Sequence, residues 1–208
     1  MDTTYWDRYY TGRSAPILPS QFAVFMLGEI NPESVVDIGC GSGRDSFWFA
    51  QQGIPTLGVD GSQAAIDMCR SRANGAKAIH FIRADVGDPG LAGTLLPAFN
   101  GSPLLYARFF LHAINEREQS ALLGHVAKIL GERGGAFAVE YRTVRDKALT
   151  KVTDDHYRRY ITPSDLIAEA ALNGLVCAYS VEGFGFAKYK ADDAYCSRMI
   201  FQSAATAT

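Results

Sequence analysis

The run Val35-Val36-Asp37-Ile38-Gly39-Cys40-Gly41-Ser42-Gly43-Arg44 joins a short apolar stretch to an acid and then to three glycines at alternate positions. Glycine tolerates positive φ and lets a ligand approach the backbone, so Gly39, Gly41 and Gly43 at the end of a buried strand make a floor for a nucleoside-bearing cofactor. A dinucleotide loop would read G-x-G-x-x-G; Arg44 stands where its last glycine would fall. Asp60-Gly61-Ser62 closes the next apolar run, where a carboxylate can accept from both hydroxyls of a ribose. Two imidazoles, His112 and His156, are candidate general bases, with an ordinary pKa of about 6.5. Tyr141-Arg142 and Asp154-Asp155-His156-Tyr157-Arg158-Arg159-Tyr160 concentrate cations and aromatics. Arginine forks suit carboxylate or phosphate, so Arg142, Arg158 and Arg159, with Tyr141 and Tyr157, predict an anionic small molecule. The competing reading pairs Arg158 and Arg159 with Asp154 and Asp155 on a solvated surface.

These groups need strands that end on one edge. Apolar runs at Ile54–Val59, Ala78–Ala84, Pro103–Arg108 and Ala136–Tyr141 follow the first and alternate with helical segments. Such alternation implies crossovers and a mainly parallel sheet. Ser20 caps a helix over Gln21 to about Ile30, with Phe22, Phe25, Met26 and Ile30 as its apolar stripe. The helix after the glycine loop runs to Gln52, and Ser62 caps another that stops at Asn74-Gly75. Glycines and prolines between Asp88 and Gly101 make the next crossover short or irregular. Asn115 to Glu118 reads as a capping box opening a helix to about Leu130, stopped at Gly131. Thr162-Pro163-Ser164-Asp165 opens a last helix to Asn173-Gly174, and strands at Leu175–Val181 and Ser197–Phe201 complete the sheet, before a frayed tail from Ser203. Ahead of all this, Tyr5, Trp6, Tyr9 and Tyr10 lie along one side of a short helical segment over Thr4–Gly12.

With 208 residues, 48% hydrophobic and 20% charged, the chain suits one domain with a full core. A net charge of −2 without a dense Lys/Arg block disfavours nucleic acid as substrate. The N-terminus has no basic and apolar leader pattern and no run suits a membrane span, which predicts a soluble, cytoplasmic protein. Four cysteines without C-x-x-C spacing predict no zinc or redox motif, and Cys40 is read as a small packing residue in the loop.

Motif, ordered acids and the stretch Tyr106-Ala-Arg-Phe-Phe-Leu-His-Ala-Ile114 together resemble the class I S-adenosylmethionine-dependent methyltransferases, and among them small bacterial enzymes of polysaccharide and natural-product pathways. The resemblance covers residues 35 to about 140. It implies an α/β, doubly wound, Rossmann-like sheet of seven strands with an antiparallel edge hairpin. It also implies a helical cap over residues 1–30 before a domain over 31–208. The cofactor implied is S-adenosyl-L-methionine, on Asp37, Gly39, Cys40, Gly41, Gly43, Arg44, Asp60, Gly61 and Ser62. Asp85 and Val86 would take the adenine, and Arg108 the methionine carboxylate. The cap, with Tyr9 toward the substrate, would fold over the cofactor. The expected activity is methyl transfer to a small, anionic metabolite or natural-product intermediate, without a metal; homo-oligomerisation stays open. The Asn/Asp-Pro-Pro-Tyr tetrapeptide of base-modifying relatives is absent, since Arg108-Phe109-Phe110-Leu111 stands there. The alternative is a non-catalytic S-adenosylmethionine-binding subunit or sensor.

Overall fold

Seven strands form one sheet in the order β3-β2-β1-β4-β5-β7-β6. They are β1 Ser34–Ile38, β2 Thr56–Asp60, β3 Ile79–Arg83, β4 Pro103–Arg108, β5 Ala136–Arg142, β6 Leu175–Gly183 and β7 Cys196–Ser203. The computed structural model describes residues 3–11, 18–99, 101–149, 151, 157–189 and 192–205. The first five strands are parallel, and β7 is inserted antiparallel between β5 and β6. Chain order reverses at β1, between β2 and β4, so a crevice opens at the carboxyl ends of those strands, where ligands of open α/β sheets bind.

The helices are α1 Thr3–Tyr10, α2 Gln21–Glu29, α3 Arg44–Gln51, α4 Gln63–Ala73, α5 Leu91–Leu95, α6 Glu116–Arg133 and α7 Pro163–Leu172. Strand alternation sorts side chains onto two faces. Leu104, Tyr106, Ala136 and Ala138 pack with Phe22 and Met26 of α2 and Phe49 of α3, whereas Leu105, Ala107, Val139 and Tyr141 pack with Leu122, Val126 and Leu166 of α6 and α7. The caps expected at Ser20, Ser62 and Asn115 form, the last as a full capping box. Asn74 ends α4 in the left-handed region at φ 42°.

Two boundaries differ from expectation. Helix α6 continues through Gly131 to Arg133, because burial of Ile129 and Leu130 outweighs a cost of about 1 kcal/mol for one glycine in a helix; Gly134, at φ 69°, ends it. The edge hairpin is longer than read, because β6 and β7 pair from Leu175↔Ser203 to Gly183↔Cys196 through a bulge at Cys177/Tyr179. Among the described residues, no helix is long and apolar enough to cross a membrane.

Candidate functional site

The glycine loop leaves β1 with Gly39, Gly41 and Gly43 at φ 72°, 53° and 71°, all in the left-handed region. A Cβ at Gly39 would lie 2.2 Å from the Phe110 ring, and one at Gly41 2.3 Å from the Tyr10 hydroxyl, so only glycine fits. Asp60, at the end of β2, is 6% exposed and accepts from the Gly41 amide at 2.9 Å and the Ser62 amide at 2.8 Å. Two of the roughly four lone-pair sites of a carboxylate are thereby used, and two are left for hydroxyls. Beneath the loop, Asp37 is buried and accepts from Ser46 Oγ at 2.5 Å. Cys40 packs with Cys69 and Phe81, as a small residue in the loop should.

Two cavities meet at Gly39, Asp60 and Phe110. The smaller, about 310 Å³, is lined by Gly61, Asp85 and Val86. Val86 is buried, while Asp85 is exposed and spends one oxygen on the Gly87 amide at 2.9 Å. That leaves the other oxygen for an exocyclic amine.

The larger cavity, about 420 Å³, runs from Asp60 past the loop to His112 and Arg142, with Trp6, Tyr9 and Tyr10 of α1 on one side. Helix α1 is docked by Asp7, whose Oδ1 accepts from Ser62 Oγ at 2.6 Å and from the Ala64 amide at 3.1 Å. Those bonds hold the Asp7 carboxyl below its usual range. Asp7 therefore ties the aromatic segment to the first turn of α4, two residues beyond Asp60. Asp7→Ala removes a cap-like acceptor, an effect of about 1 kcal/mol, and is expected to weaken S-adenosylhomocysteine about fivefold in calorimetry. Wild-type affinity would reduce α1 to ordinary packing.

The arginines are placed differently from one another. Arg44 donates to the carbonyls of Leu18 at 2.6 Å and Pro19 at 2.9 Å, bracing the chain ahead of α2. Its pKa falls through burial and then through the nearby Arg108 charge, so the two guanidinium groups face a common region. Arg108 donates Nε to Glu140 at 2.8 Å and lies 4.5 Å from the centre of the Phe109 ring. Arg142 gives Nη1 to Asp146 at 2.7 Å and Nη2 to Asp192 at 2.5 Å. This guanidinium is already held by two carboxylates, which corrects its reading as a reader of anions. Arg159 bonds Gln119 of α6, away from the cavity wall, where Arg158 does line it. Tyr141 is a second correction: by strand parity it points into the α6/α7 core, fully buried, with its hydroxyl 3.7 Å from Met199 Sδ. Tyr157 is 52% exposed and off the cavity wall. His156, Asp154 and Asp155 lie outside the described residues.

His112 lines the cavity on a 3₁₀ turn, Leu111–Ala113, and is 5% exposed. The Arg142 amide donates to its Nδ1 at 3.5 Å, which favours the neutral tautomer with the proton on Nε2.

Four features escaped the sequence reading. Phe109, at φ 54°, is a bulky residue in the left-handed region, a strained conformation that tends to mark functional sites. Glu140, fully buried, is bracketed by Arg108 and Arg198. A lone acid in the strand Ala136–Arg142, level with Arg108 on β4, was the available signal. Asp45 accepts from Ser20 N, Ser20 Oγ and Tyr106 Oη at 2.7, 2.7 and 2.8 Å, fixing α2 to α3. Phe186, Lys188, Tyr189 and Asp192, between β6 and β7, line the cavity, and nothing in their sequence announced it.

Residues 35–134 match the methyltransferase-domain family. A cypemycin N-terminal methyltransferase from a Streptomyces species is 30% identical over 108 residues, which make up 52% of this chain but only 42% of that protein. Among solved structures, the CcbJ methyltransferase from Streptomyces caelestis superposes with a TM-score of 0.72 at 19% identity, over 98% of this chain and 100% of that one. An S-adenosylmethionine-dependent methyltransferase from Anabaena variabilis gives 0.72 at 20% identity, over 97% and 93%. At such identities the structural likeness speaks for the fold alone, and the methyltransferase-domain match covers just under half of the chain. S-adenosylmethionine, the cofactor of the methyltransferases that this chain resembles over residues 35–134, fits its glycine loop, Asp60 and the cavity beside Asp85.

Proposed function

We propose that this protein transfers a methyl group from S-adenosylmethionine to a small natural-product-like acceptor that carries an anionic group. The observation that carries the reading is the continuity of the larger cavity: it extends beyond the cofactor floor at Gly39–Gly43 into a second half walled by Phe109, His112 and Phe186. A sensor would need only the first half.

S-adenosylmethionine supplies an activated methyl group when bound. Asp60 would hold the ribose, Asp85 and Val86 the adenine, and the Arg44 and Arg108 pair the methionine carboxylate. Methyl transfer is an in-line displacement, so the chain's task is mainly alignment and exclusion of water. His112, with its proton on Nε2, orients an acceptor as a donor; taking a proton at Nδ1 would break its contact with the Arg142 amide. With Arg142 and Arg159 committed elsewhere, recognition of an anion falls to Lys188, exposed on the cavity wall.

The test is release of S-adenosylhomocysteine on incubation with the cofactor and a panel of carboxylated, phosphorylated and peptide-amine compounds. Turnover confined to acceptors with an anionic group is expected. Binding of the cofactor without turnover of any of them would favour the sensor, and turnover of neutral amines alone would remove the anionic part of the reading.

A further inference from the structure

We propose that Phe186, Ala187, Lys188 and Tyr189 form the acceptor-recognition wall, and that the buried Arg142–Asp192 pair is the latch that sets its position. This rests on the methyl-transfer reading above.

The segment leaves β6 at Gly183 and rejoins the sheet at Cys196, beside the end of β5. Three polar attachments pin it. Asp192 takes Nη2 of Arg142 at 2.5 Å, while Nη1 of the same guanidinium goes to Asp146 at 2.7 Å. Asp146 also accepts from the Tyr195 amide at 2.8 Å and pairs with Lys151 at 3.1 Å. Arg198 of β7 donates Nη2 to the Phe186 carbonyl at 2.8 Å and Nε to Glu140 at 2.8 Å. The third attachment is Gly185 N to Asp193 at 2.7 Å, and reciprocal backbone bonds between Tyr189 and Asp192 close the turn.

Arg142, Asp146, Asp192, Arg198 and Glu140 are all under 10% exposed. Burying so many charges to hold a surface connection gains little stability over apolar packing, since desolvation consumes most of the attraction. What charged hydrogen bonds supply is direction: they fix a loop where packing alone would leave it adjustable. The fixed residues face the second half of the cavity. Phe186 lies over the Arg198 guanidinium at 4.7 Å and offers an apolar surface, and Lys188 is an exposed cation with no partner among the described residues. The wall thus suits an acceptor with an apolar body and an anionic group toward Lys188. Arg142 and Asp192 act through the wall and are positioning residues.

The test compares Asp192→Asn, Asp192→Glu and Lys188→Ala. For Asp192→Asn, affinity for S-adenosylhomocysteine is expected within twofold of wild type, since no cofactor group is touched. Trypsin cleavage after Lys188 should quicken at least tenfold, and KM for the panel acceptor should rise at least tenfold with a smaller fall in kcat. Asp192→Glu should restore part of both. Lys188→Ala, a surface change, should raise the acceptor KM at least fivefold without touching S-adenosylhomocysteine affinity. Wild-type cleavage and KM in Asp192→Asn, or loss of S-adenosylhomocysteine affinity in step with KM, would overturn the latch; an unchanged KM in Lys188→Ala would overturn the wall's specificity role. If the wild type turns over no compound of the panel, methyl transfer itself falls, while cleavage rate and S-adenosylhomocysteine affinity of Asp192→Asn still decide the latch.

Discussion

Replacing Asp60 by alanine is expected to weaken S-adenosylhomocysteine by at least about a hundredfold while leaving the sheet folded. The carboxylate sits at the meeting point of the two cavities, with one oxygen on the Gly41 amide and the other on the Ser62 amide. A ribose that donates both hydroxyls to it makes two hydrogen bonds to a charged acceptor, each contributing about 1.5 to 3 kcal/mol. Even the lower value, taken twice, is about 3 kcal/mol, or roughly 150-fold. The alanine variant loses more than the ligand bonds, because the Gly41 and Ser62 amides lose their acceptor and the loop floor loosens. Asp60→Asn separates the two effects, since an amide oxygen still accepts one backbone bond. Calorimetry should place it between wild type and alanine. An Asp60→Ala protein with wild-type affinity and an intact melting transition would show that the ribose is held elsewhere.

What could be read from the sequence was set by how locally each feature is determined. The glycine loop, Asp60 and the caps at Ser20, Ser62 and Asn115 depend on a few adjacent residues, and the sheet order follows from crossovers that keep one hand. The partners of the arginines are set by register. Arg108 meets Glu140 only because β4 and β5 pair in parallel at that position, and Arg142 meets Asp192, 50 residues on, only because β7 lies antiparallel beside β5. An arginine in a sequence shows its charge and not what has already neutralised it. The strand parity that carried Tyr141 into the core was legible, since Val139 and Tyr141 share a face, yet its position at a strand end suggested the cleft. The wall between β6 and β7 was beyond reach, since its place depends on a bulge at Cys177/Tyr179 and on buried ion pairs.

Asp37 is expected to make cofactor affinity depend on pH. Its carboxyl is 3% exposed, and burial, followed by the charge of Asp45, pushes its pKa up to about 7 against a partial opposing pull from the Ser46 hydroxyl. The folded value lies above the unfolded 3.8, so the folded chain holds this proton more firmly. Its stability contribution is therefore complete below about pH 4 and is lost as pH rises through about 7, on the order of 4 kcal/mol in all. The uncomplexed protein should melt at a higher temperature at pH 5 than at pH 8 by a term that Asp37→Asn removes. S-adenosylmethionine changes the balance, because its sulfonium brings positive charge into a cavity lined by Asp37, Asp45 and Asp60, and a cation favours the ionised carboxyl. Binding below about pH 7 then releases a proton, and affinity for S-adenosylmethionine should climb between pH 6 and 8, at most about tenfold per pH unit. S-adenosylhomocysteine lacks the sulfonium charge and should show a shallower slope. Calorimetry of both ligands in buffers of different ionisation enthalpy counts the protons directly. Equal slopes for the two ligands, or a slope that survives Asp37→Asn, would assign the linkage to another group.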